Sequence, residues 1–223
     1  MSYIKAENLS KEYGNGESTV AAVSNASFEI ETGEFVAIMG ESGSGKSTLL
    51  SILGTLNSPT AGRLSVNGLN VYGLGQDERA DFRRQSVGFV FQNFNLLSYL
   101  TLVENVMLPL ATLKASRREK QMMAYNALER VGLAEKIKRL PSQISGGEQE
   151  RVAIARAIVN KPPILLADEP TGNLDTRTGR LIMEFLRSLN DEGGVTIVMV
   201  THSMEYYHFA GRVLHMSDGM LVQ

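Results

Sequence analysis

The segment Gly40–Ser47 has the residue types and spacing of a phosphate-binding loop. It reads Gly-Glu-Ser-Gly-Ser-Gly-Lys-Ser and fits G-x-x-x-x-G-K-[ST] at every fixed position. Glycines let the backbone curl so that successive N–H groups surround a phosphate at a helix N-terminus. In such a loop Lys46 reaches the β- and γ-phosphates, and the Ser47 hydroxyl is a ligand for Mg²⁺. The residues expected around the phosphates are Gly40, Glu41, Ser42, Gly43, Ser44, Gly45, Lys46, Ser47 and Thr48.

A second, acidic motif follows the apolar run Ile164–Ala167. A hydrophobic strand that ends in Asp168 places this carboxylate at the carboxyl edge of a sheet, where it can hold Mg²⁺ through water. Glu169 comes next and suits a general base, or a group that orients the attacking water. Together the two motifs predict a P-loop nucleotide hydrolase, and leave kinases, GTPases, helicases and recombinases open. ATP is favoured over GTP because the nearest match to the guanine motif Asn/Thr-Lys-x-Asp, Asn160–Pro163, lacks the aspartate.

The elements around these motifs alternate between strands and helices, which predicts a parallel sheet covered on both faces. The expected strands are 3–9, 20–30, Phe35–Met39, Arg63–Val66, Val87–Phe91, Ile164–Ala167, Val195–Val200, 212–216 and 220–222. The expected helices are Lys46–Leu56, 148–159, Arg177–Leu189 and a short one after His202, and a turn is expected at Gly14–Gly16. Helical spacing from Thr101 to about Arg139 interrupts the alternation and predicts an inserted helical lobe.

Composition limits the class of protein. The 223 residues are 43% hydrophobic and 21% charged, enough for one domain with a proper core. A net charge of −2 argues against a nucleic-acid partner. With no cysteine, disulfides, thiolate zinc sites and cysteine nucleophiles are excluded. Apolar runs are far shorter than the ~20 residues that cross a bilayer, and no secretory signal is expected. Any membrane role should therefore come through a partner.

The segment Ser145–Gln149 (Ser-Gly-Gly-Glu-Gln), with Glu150–Ala157 after it, resembles the signature motif of the ATP-binding-cassette (ABC) ATPases. Ser-Gly-Gly at a helix start is a second nest of N–H groups and a hydroxyl that can bind an anion. The other family motifs follow the family's order over almost the whole chain. Tyr13 matches the aromatic residue that stacks on adenine, Gln92 the Q-loop glutamine, Asn173–Asp175 the D-loop and His202 the switch histidine.

This resemblance implies an α/β P-loop NTPase with ABC ATPase architecture. That architecture is a mainly parallel core sheet flanked by helices, an N-terminal antiparallel β subdomain and an inserted α-helical subdomain. Residues 1–223 would form one ABC ATPase domain, with the core and β part at about 1–91 and 160–223 and the helical subdomain at about 92–159.

The resemblance also assigns the site. Catalytic roles fall to Glu169, His202, Lys46 and Gln92, and Mg²⁺ ligation to Ser47, Gln92 and Asp168. Besides the phosphate-binding loop, the residues implied to contact ATP are Tyr13, Gln92, Ser145, Gly146, Gly147, Glu148, Asp175 and His202. In the family the signature faces the phosphate-binding loop of a second subunit. One copy of each motif per chain therefore implies a homodimer with ATP at its interface.

The chain departs from the commonest family pattern at a few positions. Ile144 stands in place of Leu before the signature, Glu148 in place of Gln, and Gly172-Asn173 in place of Ser-Ala. The exchange at Glu148 changes the charge of the side chain but removes no N–H group from the nest. Since Glu169 and His202 are kept, both sites of a homodimer are expected to hydrolyse ATP.

Within the family, the segments Phe89–Leu97, Glu104–Val106 and Ala167–Asp175 are most similar to the macrolide-export (MacB) and lipoprotein-release (LolD) branch. That branch implies a subunit on the cytoplasmic face of the inner membrane, docked on an integral membrane permease near the Q-loop and helical subdomain. It would power export, lipoprotein release or transmembrane mechanical work. Two alternatives stay open: a soluble regulatory or assembly ABC ATPase, and the ATPase subunit of an amino-acid-type importer.

Overall fold

The computed structural model describes residues 2–14 and 19–222, so the turn expected at Gly14–Gly16 lies largely outside the described residues. The strands are β1 Ser2–Tyr13, β2 Val20–Glu31, β3 Phe35–Met39, β4 Ala61–Val66, β5 Leu69–Asn70, β6 Val87–Val90, β7 Ile164–Asp168, β8 Thr196–Thr201, β9 Arg212–Ser217 and β10 Met220–Val222. The helices are α1 Lys46–Leu53, α2 Gln76–Ser86, α3 Leu102–Met107, α4 Arg117–Arg130, α5 Gly146–Ile158 and α6 Thr176–Asp191.

The larger sheet is mainly parallel and has the order β10-β9-β3-β8-β7-β6. Strands β9, β3, β8, β7 and β6 pair in parallel, and only β10 at the edge is antiparallel. Every residue of β3 and β8 is buried, as expected for strands covered on both faces. This sheet confirms the predicted α/β class.

The smaller sheet is antiparallel, with the order β2-β1-β4-β5. Helix α1 lies between the two sheets: Leu49 and Leu50 belong to the same buried cluster as Ile4 of β1 and Ile38 of β3. The helix that begins with Lys46 is therefore held from both sides, which fixes the end of the phosphate-binding loop. An N-terminal antiparallel part is what the family resemblance implies.

The helices α3, α4 and α5 share a buried cluster of their own, which includes Leu102, Leu128 and Val152. Helix α5 also reaches the cluster on the far face of the parallel sheet, through Ile154 and Ile158. The inserted helical part is thus present, and α5 joins it to the core.

The elements differ from the prediction in several places, among them the short strand β5, which the sequence did not indicate. Helix α2 was not predicted because none of its residues is buried, so its sequence has no apolar periodicity to detect. Helix α1 ends at Leu53, since Gly54 caps it and Thr55 takes a left-handed conformation with φ 55°. Beyond His202 the chain forms only a 3₁₀ turn, Tyr207–Phe209, rather than an α-helix.

Across residues 2–14 and 19–222, no helix combines the length and apolar character needed to span a bilayer.

A buried asparagine fixes the segment that follows the Gln92 loop. Asn105 of α3 is fully buried, and its Oδ1 accepts the Leu97 N–H at 2.8 Å. Its Nδ2 donates to the carbonyl oxygens of Leu97, Leu100 and Thr101 at 3.0–3.1 Å. One side chain thus replaces the regular backbone hydrogen bonds that this irregular segment lacks.

We expect Asn105→Ala to lower the free energy of unfolding by about 2–4 kcal/mol, because buried backbone groups lose their partners. Urea unfolding followed by circular dichroism measures this loss. The matched control is Asn126→Ala, at an exposed position of α4, which should change stability by no more than about 0.5 kcal/mol. Equal effects of the two substitutions would contradict the role given to Asn105.

Candidate functional site

The phosphate-binding loop runs between β3 and α1 and is closely packed against its surroundings. Gly45 has a φ of 99°, and a Cβ there would lie 2.0 Å from the Ala22 carbonyl oxygen. A Cβ at Gly40 would lie 2.1 Å from the Met216 carbonyl oxygen. Glycine is therefore required at both positions, and the loop is confined between β2 and β9.

The ammonium group of Lys46 lies inside this loop. The residue is 5% exposed, and Nζ donates to the carbonyl oxygens of Gly40 at 2.8 Å and Glu41 at 2.6 Å. The Ser44 Oγ lies 3.4 Å from the same nitrogen. The loop thus combines a fixed positive charge with the N-terminus of α1, and both attract a phosphate.

Ser47 and Asp168 meet at the edge of the sheet. The Ser47 Oγ donates a hydrogen bond to Asp168 Oδ1 at 2.9 Å. Burial raises the pKa of Asp168, while the hydrogen bond from Ser47 and the charge of Lys46 act in the opposite direction. A hydroxyl and a carboxylate oxygen side by side fit the oxygen ligands that Mg²⁺ prefers, so these residues suit the ion the sequence predicts.

Glu169 is held by groups from neighbouring strands. Its carboxylate accepts a hydrogen bond from Gln92 Nε2 at 3.0 Å and lies 3.1 Å from His202 Nδ1. The residue has a left-handed φ of 48°, and its N–H donates to the Val200 carbonyl oxygen at 3.0 Å. Such a conformation costs a non-glycine residue about 1–2 kcal/mol. The fold therefore maintains a strained backbone at the residue predicted to act on water.

A cleft of about 540 Å³ brings these groups together. Its lining residues are Ala22, Ser42, Gly43, Gly45, Lys46, Ser47, Thr48, Gln92, Glu169 and His202. The arrangement places a cation and backbone donors on one side and a carboxylate with an imidazole on the other. This is suited to binding a polyphosphate and activating a water beside it.

Ser145 of the signature and Asp175 of the D-loop lie elsewhere. Ser145 caps α5 and Asp175 caps α6, where its Oδ1 accepts the Thr178 N–H at 3.1 Å. The two helix starts are in contact, because a Cβ at Gly147 would lie 2.3 Å from Thr178 Cγ2. Within the described part of the chain, neither start lines the cleft.

Tyr13 also lies outside the lining of the cleft. It ends β1, is 42% exposed, and its hydroxyl accepts a hydrogen bond from Asn57 Nδ2 at 3.1 Å. The Nζ of Lys11 lies 5.0 Å from the centre of the ring. The ring thus has one polar anchor and a cation nearby, and an exposed surface on which an aromatic base can stack.

Sequence reasoning missed the position of Ala22 at the site, the contact that Asn173 makes there and the burial of Glu150. Ala22 lines the cleft from β2, which no motif indicates. Asn173 Nδ2 donates to the Gln92 carbonyl oxygen at 3.0 Å, so the D-loop supports the Q-loop of the same chain. Glu150 is 1% exposed, and its Oε1 has no hydrogen-bond partner among residues 2–14 and 19–222. Nothing in the sequence distinguishes this glutamate from one on a solvated helix face.

Comparison with known proteins gives a family match over most of the chain. Residues 23–172 match the sequence profile described as ABC transporter. The ABC transporter ATP-binding protein MJ0796 of Methanocaldococcus jannaschii is 46% identical over 97% of this chain and 94% of its own length. The macrolide export ATP-binding/permease protein MacB of Rhodopirellula baltica is 48% identical over 99% of this chain, which spans only 32% of MacB.

Solved structures show the same similarity. The dimeric, post-hydrolysis structure of MJ0796 bound to ADP and Pi has a TM-score of 0.92 at 44% identity, covering 99% of this chain and 97% of that one. The structure of cbiO1 from Clostridium perfringens, part of the transporter complex cbiONQ, has a TM-score of 0.87 at 28% identity. That match covers 100% of this chain and 87% of that one.

The buried Glu150 makes stability depend on pH. Burial raises its pKa to about 8 from an ordinary 4.5, against the opposing charge of Arg156. The folded state therefore binds a proton that the unfolded state releases, and stability falls as pH rises through this window. The loss is at most about 1.4 kcal/mol per pH unit. Glu150→Gln has no carboxyl to titrate, so it should not lose this stability. The free energy of unfolding of this variant minus that of the wild type should therefore increase from pH 5 to pH 8.

Urea unfolding at several pH values measures the difference. The control is Glu129→Gln, at an exposed position of α4, whose stability should follow the wild type at every pH. If the free energy of unfolding changed with pH equally in Glu150→Gln and the wild type, a buried neutral carboxyl at Glu150 would be contradicted.

Proposed function

The chain belongs to the ABC transporter family of ATP-binding proteins, and from this premise we propose that it powers a permease of the macrolide-export and lipoprotein-release type. It is an ATPase, the subunit that hydrolyses ATP. The observation that carries the proposal is the grouping of Lys46, Gln92, Glu169 and His202 in one cleft. Similarity to MacB, an ATP-binding/permease protein, supports the export branch.

In the proposed mechanism, Lys46 binds the β- and γ-phosphates and offsets their charge. The Glu169 carboxylate accepts a proton from the attacking water, while Gln92 and His202 hold that carboxylate in place. Ser47, Asp168 and Gln92 would hold Mg²⁺, which would supply positive charge to the phosphate oxygens. Tyr13 stacks on the adenine ring. Because these side chains are already in place before ATP binds, less reorganisation is needed for catalysis.

We propose further that two chains bind two ATP molecules between them. Ser145–Glu148 and Asp175 lie away from the cleft of their own chain, as expected of residues that complete the cleft of a partner. The MJ0796 cassette is dimeric with ADP and Pi. ATP would then stabilise the closed dimer, and hydrolysis would release it, because a ligand shifts an equilibrium through its preference for one state.

The division of the single domain also stays a proposal. The core and β part would span about 1–91 and 160–223, and the helical subdomain about 92–159. The buried cluster shared by α3, α4 and α5 supports this division, since its members lie within 102–159.

A groove beside the Q-loop is the proposed docking site for the permease. It measures about 350 Å³, and its floor includes Phe89 and Phe91, whose rings stack with centroids 4.3 Å apart. Arg83, Arg84 and Arg156 also line it. An apolar floor with basic residues fits a cytoplasmic helix that has an apolar face and acidic side chains. Gln92 follows directly on the groove, so an inserted helix would act on the residue that holds Glu169, at the cytoplasmic face of the membrane.

Glu169→Gln tests the catalytic assignment. A carboxamide cannot accept the proton from water, so ATP hydrolysis should fall at least about 100-fold. With ATP and Mg²⁺ the variant should accumulate as a dimer in size-exclusion chromatography. Glu192→Gln, at the exposed end of α6, is the control and should hydrolyse ATP like the wild type. A Glu169→Gln protein that stays monomeric would refute the dimer with ATP at its interface.

Leu56→Glu tests the docking groove. Leu56 lines the groove and is 49% exposed, so a charge there should leave the fold intact and repel an apolar helix face. We expect this variant to lose the membrane protein that co-purifies with the wild type from detergent-solubilised membranes. Leu69→Glu, at a 44% exposed leucine of β5 outside the groove, should retain it. Recovery of the wild type without any membrane protein would favour a soluble regulatory ATPase instead.

A further inference from the structure

The start of α5 contains a negative charge where the proposed function needs a phosphate to bind. Glu148 Oε2 accepts the Ser145 N–H at 3.0 Å, and Ser145 Oγ accepts the Glu148 N–H at 3.3 Å. This reciprocal cap fixes the carboxylate on the same turn that presents the Gly146 and Gly147 N–H groups. The first N–H groups of a helix have no partner within it and are free to bind an anion. A carboxylate beside them opposes that binding.

Lys136 forms an ion pair with this carboxylate through Nζ and Glu148 Oε1. The two side chains are 33% and 15% exposed, so solvent screens their charges less than on an open surface. The helix start therefore has a compensated charge: the glutamate is offset by a lysine from a different part of the chain.

The position of Lys136 is fixed by backbone hydrogen bonds on both sides. Its own N–H donates to the Leu133 carbonyl oxygen at 3.0 Å, and its carbonyl oxygen accepts the Arg139 N–H at 2.9 Å. The next residue, Ile137, accepts the Val103 N–H at 3.1 Å, which joins the segment to α3. The lysine is thus presented to α5 by a rigid segment.

The glutamate is ionised at neutral pH. The hydrogen bond from Lys136 lowers the pKa of Glu148 most, the Ser145 N–H adds to this, and Arg151 contributes through its charge. Protonation of Glu148 therefore cannot remove the repulsion, and a cation is needed to do so.

We propose that Lys136 is a charge-compensating positioning residue, which keeps the start of α5 able to bind the terminal phosphate of an ATP held by the partner subunit. The proposal rests on the proposed function, because it needs ATP between two chains. With Lys136 in place the ion pair is neutral, so the partial positive charge of the helix N-terminus attracts the phosphate without opposition. Without it, the Glu148 carboxylate loses its ion-pair partner and its charge opposes the phosphate.

The experiment measures the dimer dissociation constant in the Glu169→Gln background with saturating ATP and Mg²⁺, by analytical ultracentrifugation. Lys136→Met should raise this constant about tenfold, a shift within the range of a charge at a partly buried helix terminus. Lys136→Arg should match the parent because it keeps the charge. Glu148→Gln should dimerise more tightly than the parent, since the lysine is then uncompensated. The double variant Lys136→Met/Glu148→Gln should return to the parent value.

Lys138→Met is the matched control, at an exposed lysine two residues further on, and should dimerise like the parent. Thermal unfolding of every variant checks that the fold is kept. If Lys136→Met does not fold, the proposal is tested by Glu148→Gln alone, which should lower the dimer dissociation constant.

Each outcome has one meaning. A Lys136→Met dimer as tight as the parent overturns the proposal. A weakened dimer that Glu148→Gln does not restore shows that Lys136 acts by another route, and also overturns it. If Glu148→Gln does not tighten the dimer, the charge argument fails. If the parent itself does not dimerise with ATP, the proposed function fails first, which separates the two failures.

Discussion

The Glu169 carboxylate depends on partners from the two strands that flank its own. Gln92 follows β6, Glu169 follows β7 and His202 follows β8, and these strands are neighbours in the parallel sheet. All three side chains leave the sheet at its carboxyl edge, where α/β proteins bind their ligands. The strained backbone at Glu169 persists because the strands on both sides fix it. Any slip in the order or register of these strands would separate the carboxylate from the groups that hold it.

Much of this arrangement could be predicted from the sequence, for identifiable reasons. Strands such as Phe35–Met39 are buried on both faces, so they appear as continuous apolar runs beside glycine. The phosphate-binding loop has a fixed spacing because backbone N–H groups must surround a phosphate. The order of the family motifs then named the residues of the cleft, and the parallel sheet accounts for how Gln92, Glu169 and His202 come together.

Other features were beyond prediction because they depend on partners distant in sequence. No residue of helix α2 is fully buried, so the helix has no strong periodic signal. Asn105 and Glu150 are ordinary helical residues in the sequence, and only the fold buries them. Asn105 bonds to four backbone groups, whereas the Oε1 of Glu150 bonds to none in the described part of the chain. Charge compensation at Glu148 could not be anticipated either, since Lys136 lies in a segment whose position is set by α3.

The close contact between Gly147 and Thr178 determines how the signature and the D-loop lie relative to each other. A Cβ at Gly147 would overlap the Thr178 side chain, so glycine at this position lets the first turns of α5 and α6 pack closely. Ser145 and Asp175, which cap these two turns, therefore lie on adjoining helix starts. The two motifs thus lie on one face, so a neighbouring molecule that binds at the first also meets the second.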